Sequence, residues 1–111
     1  MGYNIYLITT EYFGKRVYKI GRTKRPVEKR LNELRTSNAN PLEVLFIYPT
    51  IWGTQIERRL HIYFQEKRME GEWFNLNDDD IKNIPNLCQE YNDLYQMLYD
   101  ENPHFKKYVK L

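Results

Sequence analysis

The chain has 111 residues, with 17 Lys and Arg against 15 Asp and Glu, two His and a single Cys, for a net charge of +2. Its 41% apolar and 15% aromatic content is enough for one packed domain and argues against disorder. No apolar run approaches the roughly 20 residues of a membrane span. A lone Cys88 excludes an intramolecular disulfide, and Cys88, His61 and His104 fall short of a structural zinc site without carboxylate help. These features predict an intracellular protein, in the cytoplasm or nucleus of a host, with no secretory signal in Met1 to Ile8.

Residues 3–9 and 16–20 are β-branched and aromatic and flank a turn-prone stretch with Gly14, which predicts an antiparallel hairpin. Centring it between Tyr12 and Phe13 would pair Tyr6 with Lys19. Pro26 suits the first turn of a helix over residues 26–35, broken by the polar stretch from Thr36 to Pro41. Residues 43–48 read as a third strand and 54–67 as a second helix, with Ile56, Leu60, Tyr63 and Phe64 at core spacing. Gly71 interrupts that pattern, and Trp73, Phe74 and Leu76 form a short apolar anchor. Asp78, Asp79 and Asp80 suit the start of another helix, and a final helix is expected over 86–99. The order predicts an α+β fold, a small central three-stranded antiparallel sheet flanked by helices, with a core over 1–76 and C-terminal helices over 77–111 packing on it.

Charge is unevenly spread. Residues 1–68 carry 13 Lys and Arg against 6 Asp and Glu, and residues 69–111 carry 4 against 9. A basic N-terminal part suits a polyanion, because each cation placed on a phosphate releases counterions. An ordinary mixed surface explains the count equally well.

Several residues fit a purely structural reading poorly. Val27, Leu31 and Leu34 define the buried stripe of the first helix, and Arg30 falls within it. A partly buried guanidinium cannot deprotonate and needs carboxylates, carbonyls or phosphate, unless its stem packs and its head reaches solvent. Lys19 beside Tyr6 places an ammonium next to a phenol, and Gly21 could let a ligand approach the backbone. Glu57 and His61 sit at i and i+4 beside the second helix's apolar stripe, where a carboxylate suits a divalent cation, or a surface pairing with Arg58 or Arg59.

Together these residues resemble the GIY-YIG endonuclease superfamily. Asn4-Ile5-Tyr6 matches the first motif and Lys19-Ile20-Gly21 the second, while Arg30 and Glu57 match the helix Arg and the later Glu. Lys19 to Thr23, Arg30-Leu31, Glu57 with Leu60-His61 and Phe64, and Glu72-Trp73-Phe74 are most similar to a branch found in phages, large DNA viruses and fungal meiotic proteins. The resemblance covers residues 3–76 and implies phosphodiester hydrolysis of DNA, or of RNA or branched nucleic acid, with Mg²⁺ or Mn²⁺. It implies Tyr6 as activator of water or general base, assisted by Lys19, which would lower the phenol's pKa. Arg30 would stabilise phosphoryl charge and Glu57 would ligate the metal. Arg22, Lys24, Arg25, Arg35, Arg58 and Arg59 are the candidate phosphate contacts, and Gly21, His61, Glu72 and Asn75 the supporting candidates. The sequence departs from the pattern at Asn4, where the motif has Gly, at Lys19, where it has Tyr, and at Leu34, where some relatives carry His. A nucleic-acid-binding module of the same fold that does not cut is the alternative. An interaction domain, with ten tyrosines and a second copy of the chain as partner, is the third reading.

Overall fold

The computed structural model describes residues 2–36 and 40–109, so the expected helix break from Thr36 to Pro41 lies partly outside the described residues. Its elements are β1 (Tyr3–Tyr12), β2 (Lys15–Thr23), α1 (Val27–Thr36), β3 (Glu43–Thr50), α2 (Gly53–Tyr63), a 3₁₀ turn (Gln65–Lys67), β4 (Trp73–Phe74), α3 (Asp78–Glu101) and α4 (Pro103–Tyr108). The fold is α+β, as expected, but the sheet has four antiparallel strands in the order β3-β1-β2-β4. The apolar anchor at Trp73 and Phe74 supplies the fourth, pairing with Lys19 and Tyr18.

Phe13 and Gly14 both have positive φ, 50° and 76°, and form the two-residue turn whose twist matches that of the flanking strands. The hairpin is therefore centred one residue later than the sequence suggested. Tyr6 pairs with Gly21, and Lys19 with Ile8. Because both alignments keep the same parity, Tyr6 and Lys19 still share a face of the sheet, as diagonal rather than direct neighbours.

Alternation along β1 divides the core. Tyr6 and Ile8 pack with Val27, Leu31 and Leu42, so α1 covers one face. Ile5, Leu7, Tyr18 and Ile20 pack on the other with Trp52, Ile56, Leu60 and Phe64 of the α2 region and with Ile84, Leu87 and Cys88 of α3. The layers are thus α1, sheet, and α2 with α3.

The second helix ends at Tyr63 and tightens into the 3₁₀ turn, short of the expected Lys67. The two expected C-terminal helices are one, running through Pro85, which forfeits a single backbone hydrogen bond that burial of Ile84, Leu87 and Cys88 outweighs. Its start is fixed by a capping box between Asn77 and Asp80, with Asp78, Asp79 and Asp80 in the first turn. Burial pushes the Cys88 thiol up to about 12, so it is an unreactive core group. Among the described residues no helix is long and apolar enough to cross a membrane.

Candidate functional site

The shortness of β4 positions the site. It covers β2 only at Tyr18 and Lys19, so the edge of β2 at Gly21 to Thr23 has no strand partner beyond it. The Tyr6 phenol reaches this edge from the α1 side of the sheet. A Cβ built on Gly21 would sit 2.4 Å from the Tyr6 hydroxyl, so the residue must be Gly for the phenol to lie where it does. From the opposite layer, α2 brings Glu57 to the same edge, where Arg22 donates to its carboxylate at 2.6 Å. His61, one turn further along α2, is 2.8 Å from the Ile20 carbonyl and packs its ring on Phe74. It fastens α2 to β2 and so fixes Glu57.

Arg30 completes the cluster from α1. Its Nε donates to the Tyr6 hydroxyl at 3.4 Å, a long contact with room to tighten around a bound anion. The stripe position explains the geometry: the stem crosses the Tyr6 side of the core and the head stays half-exposed, with Glu33 at 3.8 Å. On the same face Lys19 is buried, with its ammonium 2.8 Å from Glu72 and 5.7 Å from the centre of the Trp73 ring.

Electrostatics correct one expectation. The Tyr6 side chain is fully buried, and desolvation raises its pKa above the ordinary 10; Arg30 opposes this, while the charges of Glu57 and Glu72 add to it. Lys19 does not make the phenol acidic, because its charge is committed to Glu72. Glu57 is likewise held above the usual carboxylate range, chiefly by burial, with Arg22 and His61 pulling the other way and Glu72 adding to the rise. That Tyr6 and Glu57 each respond to Glu72 and that Tyr6 responds to Glu57 places all three in one electrostatic unit.

The structure therefore brings together Tyr6, Lys19, Gly21, Arg30, Glu57, His61 and Glu72. The remaining candidates divide. Arg22 is the direct partner of Glu57, a role the sequence gives no sign of because 35 residues separate them. Arg22 and Lys24 flank the Tyr3 ring at 5.8 and 5.2 Å. A hydrogen bond with Thr54 is the main cause that lowers the Tyr3 pKa, and the charges of Lys24 and Arg22 add to it. Arg58 is exposed on α2 beside Glu57. Arg25 is paired with Glu33, and Arg35 donates to Asn32. Arg59 turns away to α3, donating to the Tyr95 hydroxyl at 2.8 Å and lying over Tyr91 and Tyr95. Asn75 is exposed, tied through its backbone N–H to the Lys67 carbonyl. Among the described residues no group of three or more His, Cys, Asp and Glu side chains is arranged to hold a metal ion.

No curated protein and no solved structure matches the chain. A family model does, that of the T5orf172 domain, over residues 3–89, a span that includes every residue gathered around Gly21. The chain belongs to the T5orf172 domain family, a nuclease-like or DNA-binding family in the GIY-YIG and homing-endonuclease-like group.

Proposed function

We propose that the protein is an endonuclease that hydrolyses DNA phosphodiester bonds with the help of a divalent cation, acting inside the cell. The observation that carries this reading is the meeting of a buried phenol, a guanidinium and a buried carboxylate at the open edge of β2, around a glycine that leaves room for them. Arg30, half-exposed and always charged, would take the phosphoryl oxygens, and its long contact to Tyr6 would tighten as it does so. Tyr6 enters as the neutral phenol, since burial holds its proton, and its O–H can donate a hydrogen bond that orients a water or a phosphoryl oxygen. Lys19, anchored by Glu72, places an ammonium donor on the same face.

Glu57, with Glu72 nearby, offers hard oxygen donors that fit Mg²⁺ or Mn²⁺, which bind through one or two carboxylates and retain several waters. Such an ion supplies Lewis-acid stabilisation of the leaving oxygen. Arg22 occupies the Glu57 carboxylate at 2.6 Å, so it must give way to the ion, and a phosphate is a natural acceptor for the displaced guanidinium.

The test is incubation of supercoiled plasmid with the purified protein in Mg²⁺, Mn²⁺ or chelator, beside Glu57→Gln and Arg30→Ala. Metal-dependent nicking lost in both variants, with folding retained, supports the reading. Salt-sensitive binding with no nicking in any metal would favour a binding module that does not cut, a reading the Arg22–Glu57 pair also permits.

A further inference from the structure

The sheet face that carries Tyr6 and Lys19 continues toward the β1–β2 turn, where it opens into a cavity of about 470 Å³. Its floor is Thr10 and Val17, register partners that are both buried. Its walls are Tyr12, Met69 and Trp73, the first two about half exposed at 46% and 50%. Asn40 and Glu70 line it with polar groups, and among the described residues no Lys or Arg does. That composition suits a flat, uncharged, polar-edged group: aromatic and thioether walls accept a π face, while an amide and a carboxylate accept exocyclic amino groups. It does not suit a phosphate. The volume lies within the roughly 300–1,000 Å³ of small-molecule sites.

Placement identifies the occupant. Tyr6 and Thr10 are four residues apart on one strand face, about 13 Å at the rise of a β-strand. Lys19, opposite Ile8, lies between them with its ammonium over the Trp73 ring, which also walls the cavity. A strand whose phosphate rests at Tyr6 and Arg30 can therefore deliver a base from about one or two nucleotides away, in the manner of single-strand binders that alternate cations with stacking surfaces.

We propose that this cavity receives an unpaired nucleobase of the strand whose phosphate lies at Tyr6 and Arg30, stacked against Trp73. The inference deepens the nuclease reading and rests on it. A base can enter only when free of its duplex partner, so the protein should favour single strands, flaps and bulges over continuous duplex.

The two tryptophans make the test direct. Trp52 is completely buried in the opposite core, whereas Trp73 is half-buried at the cavity, so quenching by a bound base reports on Trp73. The whole protein, in chelator, is titrated with single-stranded oligodeoxycytidylate, whose bases carry exocyclic amino groups, with an abasic strand of equal length, and with a continuous duplex, following both tryptophan emission and ligand anisotropy. Saturable quenching by the base-bearing strand alone is expected, and Trp73→Phe should abolish it. Tyr12→Ala, at an exposed position near the turn, should weaken that strand's binding about tenfold. Equal affinity for the abasic strand, or tight binding that leaves Trp73 emission unchanged, would overturn the proposal. Plasmid nicking that depends on Glu57 while Trp73 stays silent would remove the base cavity and leave the nuclease reading intact. Failure of every ligand to bind, together with no plasmid nicking in Mg²⁺ or Mn²⁺, would remove both.

Discussion

Gly21 and Glu57 are the two residues where the site conflicts with folding, and each conflict can be measured. At Gly21 the space a side chain would fill is occupied by the Tyr6 hydroxyl, 2.4 Å from an added Cβ. Gly21→Ala must push a fully buried phenol away from Arg30, an overpacking strain of about 1–3 kcal/mol. A lower urea midpoint is expected, with nicking lost and nucleic-acid affinity largely kept; a variant that cuts normally would show that the position of the phenol is immaterial. Glu57 poses an electrostatic conflict. Its folded pKa lies above the ordinary 4.5, so the folded chain holds that proton more tightly than the unfolded one does. The stabilisation is then fully present below pH 4.5 and drains away as the pH rises through the folded pKa. Above that range burial of the carboxylate weighs against folding, more than its pairing with half-exposed Arg22 offsets. Glu57→Gln should accordingly unfold at a higher urea midpoint than the wild type at pH 7, with the advantage closing near pH 4. A lower midpoint at pH 7 would mean that the pairing with Arg22 outweighs desolvation.

At the level of elements, what could be read in advance was whatever local pattern controls. The α+β class, both strands of the hairpin, and the helix carrying Arg30 follow from alternation, from Pro26 and from the stripe of Val27 and Leu31. The hairpin's centre did not, because Tyr12, Phe13 and Gly14 offer two nearly equivalent turns, and the choice falls to Phe13 accepting a positive φ. Parity rescued the functional consequence, since Tyr6 and Lys19 share a face under either alignment. β4 was hidden for another reason: two residues carry no periodicity, and Trp73 and Phe74 become a strand only because β2 has an open edge there. The two helices expected from Asp78 and over residues 86–99 are one, because tertiary burial of Ile84 and Leu87 carries α3 through Pro85. The candidate site was legible as residue types and order. Its wiring was not, because the pairings Arg22 with Glu57 and Lys19 with Glu72 join segments whose approach depends on the finished sheet.

Across the whole molecule, the Arg22–Glu57 pair would, on the proposed function, tie two binding events together. Arg22 is on β2 beside Lys24 and Tyr3, a surface suited to a phosphate backbone, and Glu57 is on α2 in the other layer. In the free protein the guanidinium competes with any cation for Glu57. A polyanion that draws Arg22 onto a phosphate releases the carboxylate, so nucleic acid should tighten metal binding, and by linkage metal should tighten nucleic-acid binding equally. Calorimetric titration of Mn²⁺ with and without a non-cleavable oligonucleotide should reveal this coupling, at about 5- to 150-fold if it has the usual allosteric size. Arg22→Ala separates the contributions. It should bind Mn²⁺ more tightly than wild type in the free state, lose most of the coupling, and reduce the salt dependence of oligonucleotide binding by about one phosphate contact. Arg58→Ala provides the contrast, since exposed Arg58 also offers a cation to the backbone. It should lower oligonucleotide affinity similarly while keeping the coupling. If the two variants prove indistinguishable, the link between the sites is the diffuse attraction of a cation to a polyanion, and the ion pair has no part in it.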